Sequence, residues 1–206
     1  MSETERVRKQ YDWYSRFYDK PEGLVELLLF SKWRKKYLSD LKGEILEVGV
    51  GTGKNLQYYN TKAQVTGIDF SPGMLEKAKT MYETLGSPDN IELKLMDAQH
   101  LDFLDNHFDY VIATFVLCSI PDPVKGLKEI KRVLKPYGKF IAVEHMLSRN
   151  FFIALHEHIM NPITKNLFGF NINRKTAENI KKSGLKIVEE KNLGFFDVFR
   201  KIISQK

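Results

Sequence analysis

One cysteine, two tryptophans and no long apolar run are what this 206-residue chain has little of or lacks. With Cys118 alone, no intrachain disulfide can form, which suits a reducing cytoplasm. Cys118 sits in the apolar run from Phe115 to Ile120 and reads as a small buried hydrophobe rather than a nucleophile. No uninterrupted apolar stretch reaches the roughly 18 residues of a membrane span. The N-terminus is charged and polar with no apolar segment behind it, so no signal peptide is expected. Repeats, low-complexity segments and linkers are missing too. Nor is a metal site expected, since His156 and His158, two residues apart, would not share a helical face. These absences predict a single domain over residues 1–206, cytoplasmic, with peripheral attachment to a membrane left open.

Hydrophobic residues make up 43% of the chain, enough for a real core, and the net charge is +6. That balance favours anionic surfaces, phospholipid or nucleic acid, and is also common in lysine- and glutamate-rich thermophile proteins. Residues 5–19 read as an amphipathic helix with Val7, Tyr11, Tyr14, Phe17 and Tyr18 on its apolar side, stopped by Pro21. A second helix, 22–39, sets leucines and Trp33 beside Lys32, Arg34, Lys35 and Lys36. Together these form N-terminal cap helices within 1–40. From Gly43 onward, strands (44–49, 64–69, 91–96, 108–115, 138–145) alternate with helices (near 53–59, 73–85, 123–134), the pattern of a parallel sheet covered on both faces. Residues 150–183 break the alternation as a helical insert: an apolar segment interrupted at Pro162, a polar turn, and a basic helix capped by Gly184. Strands near 185–192 and 196–204 close the chain as a hairpin. The fold class is α/β, with a doubly wound, mostly parallel seven-stranded sheet.

The first strand runs into Glu47-Val48-Gly49-Val50-Gly51-Thr52-Gly53, and the second ends at Asp69, twenty residues after Gly49. A glycine turn after one strand and an acid at the end of the next is how α/β proteins hold a nucleoside: backbone approaches the ligand closely, and the acid meets the ribose hydroxyls. The spacing is not the dinucleotide G-x-G-x-x-G; Lys54 stands where its third glycine would be. A carboxylate two residues before the turn suits a cationic ligand better than a pyrophosphate.

Glu47, Gly49, Gly51 and Gly53 together resemble the first motif of the class I S-adenosylmethionine methyltransferases, E-x-G-x-G-x-G. That resemblance covers about 40–146 in detail and implies a Rossmann-like methyltransferase fold with S-adenosylmethionine as cofactor. It assigns Asp69 to the ribose, Met74 to the adenine face, Asp97 and Ala98 to the adenine edge, and Thr114 to the methionine end, beside Phe115. Plainer readings stand beside these: Asp97 as a loop cap and Met74 as core. Leu134-Lys135-Pro136-Tyr137-Gly138-Lys139 resembles the same family's L-[KR]-P-G-G turn, with Tyr137 in place of the first glycine. Tyr11-Asp12, Tyr18-Asp19, the Val48-to-Gly53 run, Met96-Asp97-Ala98-Gln99 and Val133-Leu134-Lys135-Pro136 resemble ubiquinone and menaquinone methyltransferases. The likeness is closer to soluble bacterial phosphatidylethanolamine N-methyltransferases, and fainter to thiol S-methyltransferases.

The resemblance implies a small lipophilic or phospholipid acceptor. Tyr11, Tyr18 and His145 are the candidates for catalysis, the tyrosines because the N-terminal helix closes over the cofactor in the family, His145 because it ends a strand on the ligand side. Tyrosines at this spacing also fit simple packing. Arg174 and Lys175 offer a phosphate partner or a solvated helix end. Peripheral contact with an anionic bilayer is expected from residues 22–38 and 151–168. Nucleic acid is not expected as a partner, since Ala113-Thr114-Phe115-Val116 stands where an amino-methylating enzyme carries [DN]-P-P-[YF]. An RNA methyltransferase, a NAD-dependent oxidoreductase and a non-catalytic S-adenosylmethionine binder remain as rival classes.

Overall fold

The computed structural model describes residues 1–16 and 29–206. Seven strands form one sheet: β1 Gly43–Val48, β2 Ala63–Asp69, β3 Ile91–Leu95, β4 Phe108–Thr114, β5 Leu134–His145, β6 Lys186–Gly194 and β7 Phe199–Gln205, in the order β3-β2-β1-β4-β5-β7-β6. The first five are parallel. β7 runs antiparallel to both β5 and β6. The order reverses between β1 and β4, and a doubly wound sheet opens a crevice at that point, beyond the carboxyl ends of those strands.

Six α-helices lie among the described residues: α1 Glu3–Tyr14, α2 Ser31–Leu38, α3 Pro72–Thr84, α4 Pro123–Val133, α5 Phe151–Phe168 and α6 Thr176–Lys182. Their starts follow capping chemistry. Ser2 and Glu5 make a reciprocal capping box at α1. Ser71, Asp122 and Asn150 each accept a backbone N–H at the starts of α3, α4 and α5. On one face of the sheet, Leu127, Ile130 and Val133 of α4 and Ile180 of α6 pack into a buried cluster with Phe108, Val111 and Phe140. On the other, Leu38 of α2 and Leu75 and Ala78 of α3 pack with Ile45, Val65 and Ile112.

Three expectations need correction. The helix near 53–59 is only a 3-10 turn, Leu56–Tyr58, because Gly53 enters it with a left-handed φ of 83° and Tyr59 leaves it extended. α5 is not interrupted at Pro162: the bond its missing N–H would make belongs to residue 158, and both residues face solvent. Leu134-Lys135-Pro136-Tyr137-Gly138 is the first part of β5 rather than a turn, with the register against β4 shifting between Phe108 and Tyr110. Tyr18, with the rest of the expected helices over 17–28, lies outside the described residues.

Candidate active site

The glycine turn after β1 stands at the reversal of the sheet, and its glycines are there for different reasons. Gly51 lines the cleft with φ of 57°, and a Cβ built on it would meet only the Gly49 oxygen at 4.0 Å, so a side chain would occupy the cleft itself. A Cβ at Gly49 would strike Val116 at 2.2 Å. Gly53 faces away from the cleft, where a Cβ would crowd Ala78 and Met81 of α3 at 3.1 Å.

Asp69 closes the turn from the β2 side. One carboxylate oxygen accepts the Gly51 N–H and the other the Ser71 N–H, both at 2.9 Å. Burial pushes its pKa up to about 6, against the pull of those N–H donors. A carboxylate accepts about four hydrogen bonds, so lone pairs remain for a vicinal diol in the cleft. Phe70, Met74, Thr114 and Phe115 line the same cleft, and Met74 is fully buried. A narrower apolar slot opens beside it between Ile68, Phe70, Met96, Ala98 and Ile120, with Asp97 at its edge. Gln99 fixes Asp97 by donating to both carboxylate oxygens, at 3.0 and 3.1 Å.

Glu47, assigned to the cofactor on resemblance, stands behind the turn. It is 1% exposed and accepts from Asn55 Nδ2 at 2.8 Å and the Tyr59 hydroxyl at 2.9 Å. Burial raises it to about 7. The Arg34 guanidinium reaches Asn55 Oδ1 at 2.7 Å and Thr114 Oγ1 at 3.2 Å and lies 5.5 Å over the Phe115 ring. Arg34 therefore belongs to the cleft wall, not to the basic helix face expected of it; Lys32, Lys35 and Lys36 are the exposed cations there.

Beyond Phe115 lies a chamber of about 220 Å³ lined by aromatic and apolar side chains, among them Tyr14, Phe30, Phe170 and Phe199. Tyr11 and Phe115 line both spaces and mark their boundary. Phe115 itself has φ of 57°, a strained conformation for a phenylalanine. Buried Glu144 holds the segment after it: one oxygen accepts the N–H groups of Val116 and Leu117, both at 3.1 Å, and desolvation raises this acid to about 8. Arg174 holds the next turn, donating to the carbonyls of Cys118 and Ile120 at 2.9 Å, so it is a structural clamp rather than a phosphate partner. Lys175 pairs with Glu178 at the solvated start of α6.

His145 lines the chamber, with its ring edge-on to Phe199 and Nε2 3.7 Å from a Glu157 oxygen. Desolvation lowers it to about 4, so it is neutral at physiological pH. Burial raises the Tyr11 phenol well above its usual value, which leaves it a hydrogen-bond donor rather than a base. His156 and His158 are exposed on α5. Of the expected site residues, Gly49, Gly51, Asp69, Met74, Asp97, Ala98, Thr114, Tyr11 and His145 come together around cleft, slot and chamber, while Glu47 and Gly53 support from behind.

Asp12 escaped the sequence reading. Its carboxylate accepts from Ser71 Oγ at 2.6 Å and from Gly73 N at 3.1 Å, latching α1 over the start of α3. A Cβ on Gly73 would meet Asp12 and Ser15 at 2.8–3.2 Å, so glycine there admits the helix. The only hint in sequence was the Tyr11-Asp12 pair itself.

Residues 46–142 match a family model described as a methyltransferase domain. A phosphatidylethanolamine N-methyltransferase of Cereibacter sphaeroides is 44% identical over 103 residues, 50% of this chain and 51% of that protein. A demethylmenaquinone methyltransferase of Staphylococcus aureus is 37% identical over 148 residues, 68% of this chain and 60% of that protein. The chain thus spans about half to three fifths of the length of these curated relatives. The same fold is seen in the crystal structure of a SAM-dependent methyltransferase from Aquifex aeolicus, with a TM-score of 0.66 at 20% identity over 94% of this chain and 97% of that one.

Proposed function

We propose that the chain, whose residues 46–142 match the model of a methyltransferase domain, moves a methyl group from S-adenosylmethionine to a lipophilic acceptor seated in the chamber behind Phe115. The observation that carries this is the apolar chamber meeting the nucleoside cleft at Tyr11 and Phe115. S-adenosylmethionine brings an already activated methyl group when bound, so the chain's work is alignment and exclusion of water. Asp69 holds the ribose, Asp97 and Ala98 the adenine edge, and Met74 the adenine face. Thr114, braced by Arg34 and Asn55, borders the methionine end. Tyr11 covers the junction from α1. Neutral His145 accepts a hydrogen bond from the N–H or O–H of the acceptor.

A phosphatidylethanolamine-type amine is the leading acceptor. The relative from Cereibacter sphaeroides supports it by name, and the apolar chamber wall suits a lipid. A quinone-precursor carbon is second, supported by the demethylmenaquinone methyltransferase likeness. An alkyl thiol is third. Among the described residues that line the chamber there is no lysine or arginine, which disfavours a nucleic-acid acceptor. The test is transfer of label from methyl-labelled S-adenosylmethionine into the lipid, RNA, protein and thiol fractions of a bacterial extract. Label in a phospholipid is expected. Label in RNA or thiols alone would overturn the acceptor, and no label despite tight cofactor binding would favour a non-catalytic binder.

A further inference from the structure

α5 carries large apolar side chains at four-residue intervals, Phe151, Leu155, Ile159, Ile163 and Leu167, all exposed, with Phe152 beside them 77% exposed. Such a ridge runs obliquely along a helix, here for about 24 Å at 1.5 Å per residue. At its N-terminal end it meets a second apolar group. The turn between β6 and β7 presents Phe195 and Phe196, the latter 73% exposed. Phe195, Phe196 and Asp197 all have left-handed φ, at 55°, 52° and 61°. Three successive non-glycine residues in that region are strained, and two of them are exposed aromatics. The turn is bonded to the segment leading into α5: Met146 N donates to Val198 O at 2.9 Å and Ser148 Oγ to Phe196 O at 2.7 Å. Ridge and turn therefore form one surface.

We propose that this surface seats on an anionic phospholipid bilayer and delivers the acceptor to the chamber; the inference rests on the lipophilic-acceptor reading above. Charge and continuity choose the occupant. Glu157, the one carboxylate of α5, is buried. The carboxylates nearest the turn, Glu190 and Asp197, are paired with Arg149 and Arg200. Phe30, at the N-cap of α2, and Trp33 pack on Phe199, α2 carries exposed Lys32, Lys35 and Lys36, and the whole chain is cationic at +6. An apolar face free of unpaired acids beside lysines fits anionic headgroups. Continuity decides against a protein cover. The Phe195 ring is 5.5 Å from that of Phe199, which lines the chamber, so the face leads inward, and a protein seated on it would shut that route. Among the described residues no helix is long and apolar enough to cross a membrane, so α5 lies along the surface.

Flotation of the purified chain with phosphatidylcholine vesicles, with and without phosphatidylglycerol, tests this. Flotation is expected, stronger with phosphatidylglycerol. The double variant Phe152→Glu with Phe196→Glu should partition at least about tenfold less, and Ile159→Ser should weaken binding by a smaller factor, both keeping normal circular dichroism and cofactor affinity. Wild-type protein that does not float would overturn the proposal, as would variants that float normally. So would a wild-type dimer in sedimentation that the variants dissociate, which would make a second copy the occupant. Methylation of phosphatidylethanolamine in detergent micelles separates the two readings. Variants that fail on vesicles but turn over in micelles support both, whereas normal flotation with no lipid methylation keeps the docking face and sinks the lipid acceptor.

Discussion

Asp69 spends one bond from each carboxylate oxygen on a backbone N–H, Gly51 on one side and Ser71 on the other. It therefore shapes the cleft as well as lining it. An amide in its place would turn an NH2 group toward one of those two donors. Asp69→Asn is expected to weaken S-adenosylmethionine binding by about ten- to a hundredfold, the range for losing hydrogen bonds to a charged group, as read by calorimetry at pH 7.5. The wild type should also lose affinity as pH falls through about 6, where this raised carboxyl takes up its proton. The variant should show no such step. Equal affinities across that range would remove Asp69 from the ribose site.

Among the elements, α1 is tied to α5 by Gln10 and Glu3, and is held over the cleft by a few contacts with the start of α3. Asp12 supplies two of them, and Gly73 leaves the space. Asp12→Ala removes a charged acceptor from the α3 N-terminus, where the helix dipole favours it. Expected outcomes are a several-fold loss of cofactor affinity, faster proteolysis within α1 and little change in the melting temperature of the rest. A variant with unaltered affinity would mean that α1 packs beside the cleft without closing it. The same contacts explain what sequence could show. The glycine turn, Asp69 and Asp97 were legible because each sits at a strand end with its meaning within a few residues. Asp12 reaches a partner 59 positions away, Arg34 one 80 away and Glu144 one 28 away. Composition and periodicity hold no record of such pairs, so Arg34 read as part of a basic face. Glu47 erred the other way: its motif was clear, but Asn55 and Tyr59 turn its carboxylate to the back of the turn.

Among the described residues four buried carboxyls have raised pKa values, Asp69 to about 6, Glu47 to about 7, Glu144 to about 8 and Glu157 in the same direction, each chiefly through desolvation. The sign follows from counting protons. In the unfolded chain these groups ionise near pH 4, whereas the native state keeps its protons up to the raised values, so stability falls as pH rises through that window. His145 opposes this at the acid end. Lowered to about 4 from an unfolded value near 6.5, it favours the native state as pH rises to 6.5 and is silent above. The clean interval is therefore pH 6.5 to 8.5, across which the melting temperature of the cofactor-free protein should fall. Glu144→Gln keeps an oxygen for the Val116 and Leu117 N–H groups and cannot ionise, so it should flatten the upper part of that fall. If Asp69 also binds ribose as an ionised acceptor, S-adenosylmethionine must stabilise the native state more at pH 8 than at pH 5.5, because a ligand that prefers one protonation state shifts stability with it. Differential scanning fluorimetry with and without the cofactor at the two pH values measures this directly. A cofactor-induced shift that is the same at both would mean that the ribose is held by groups other than Asp69, whatever the substitution does.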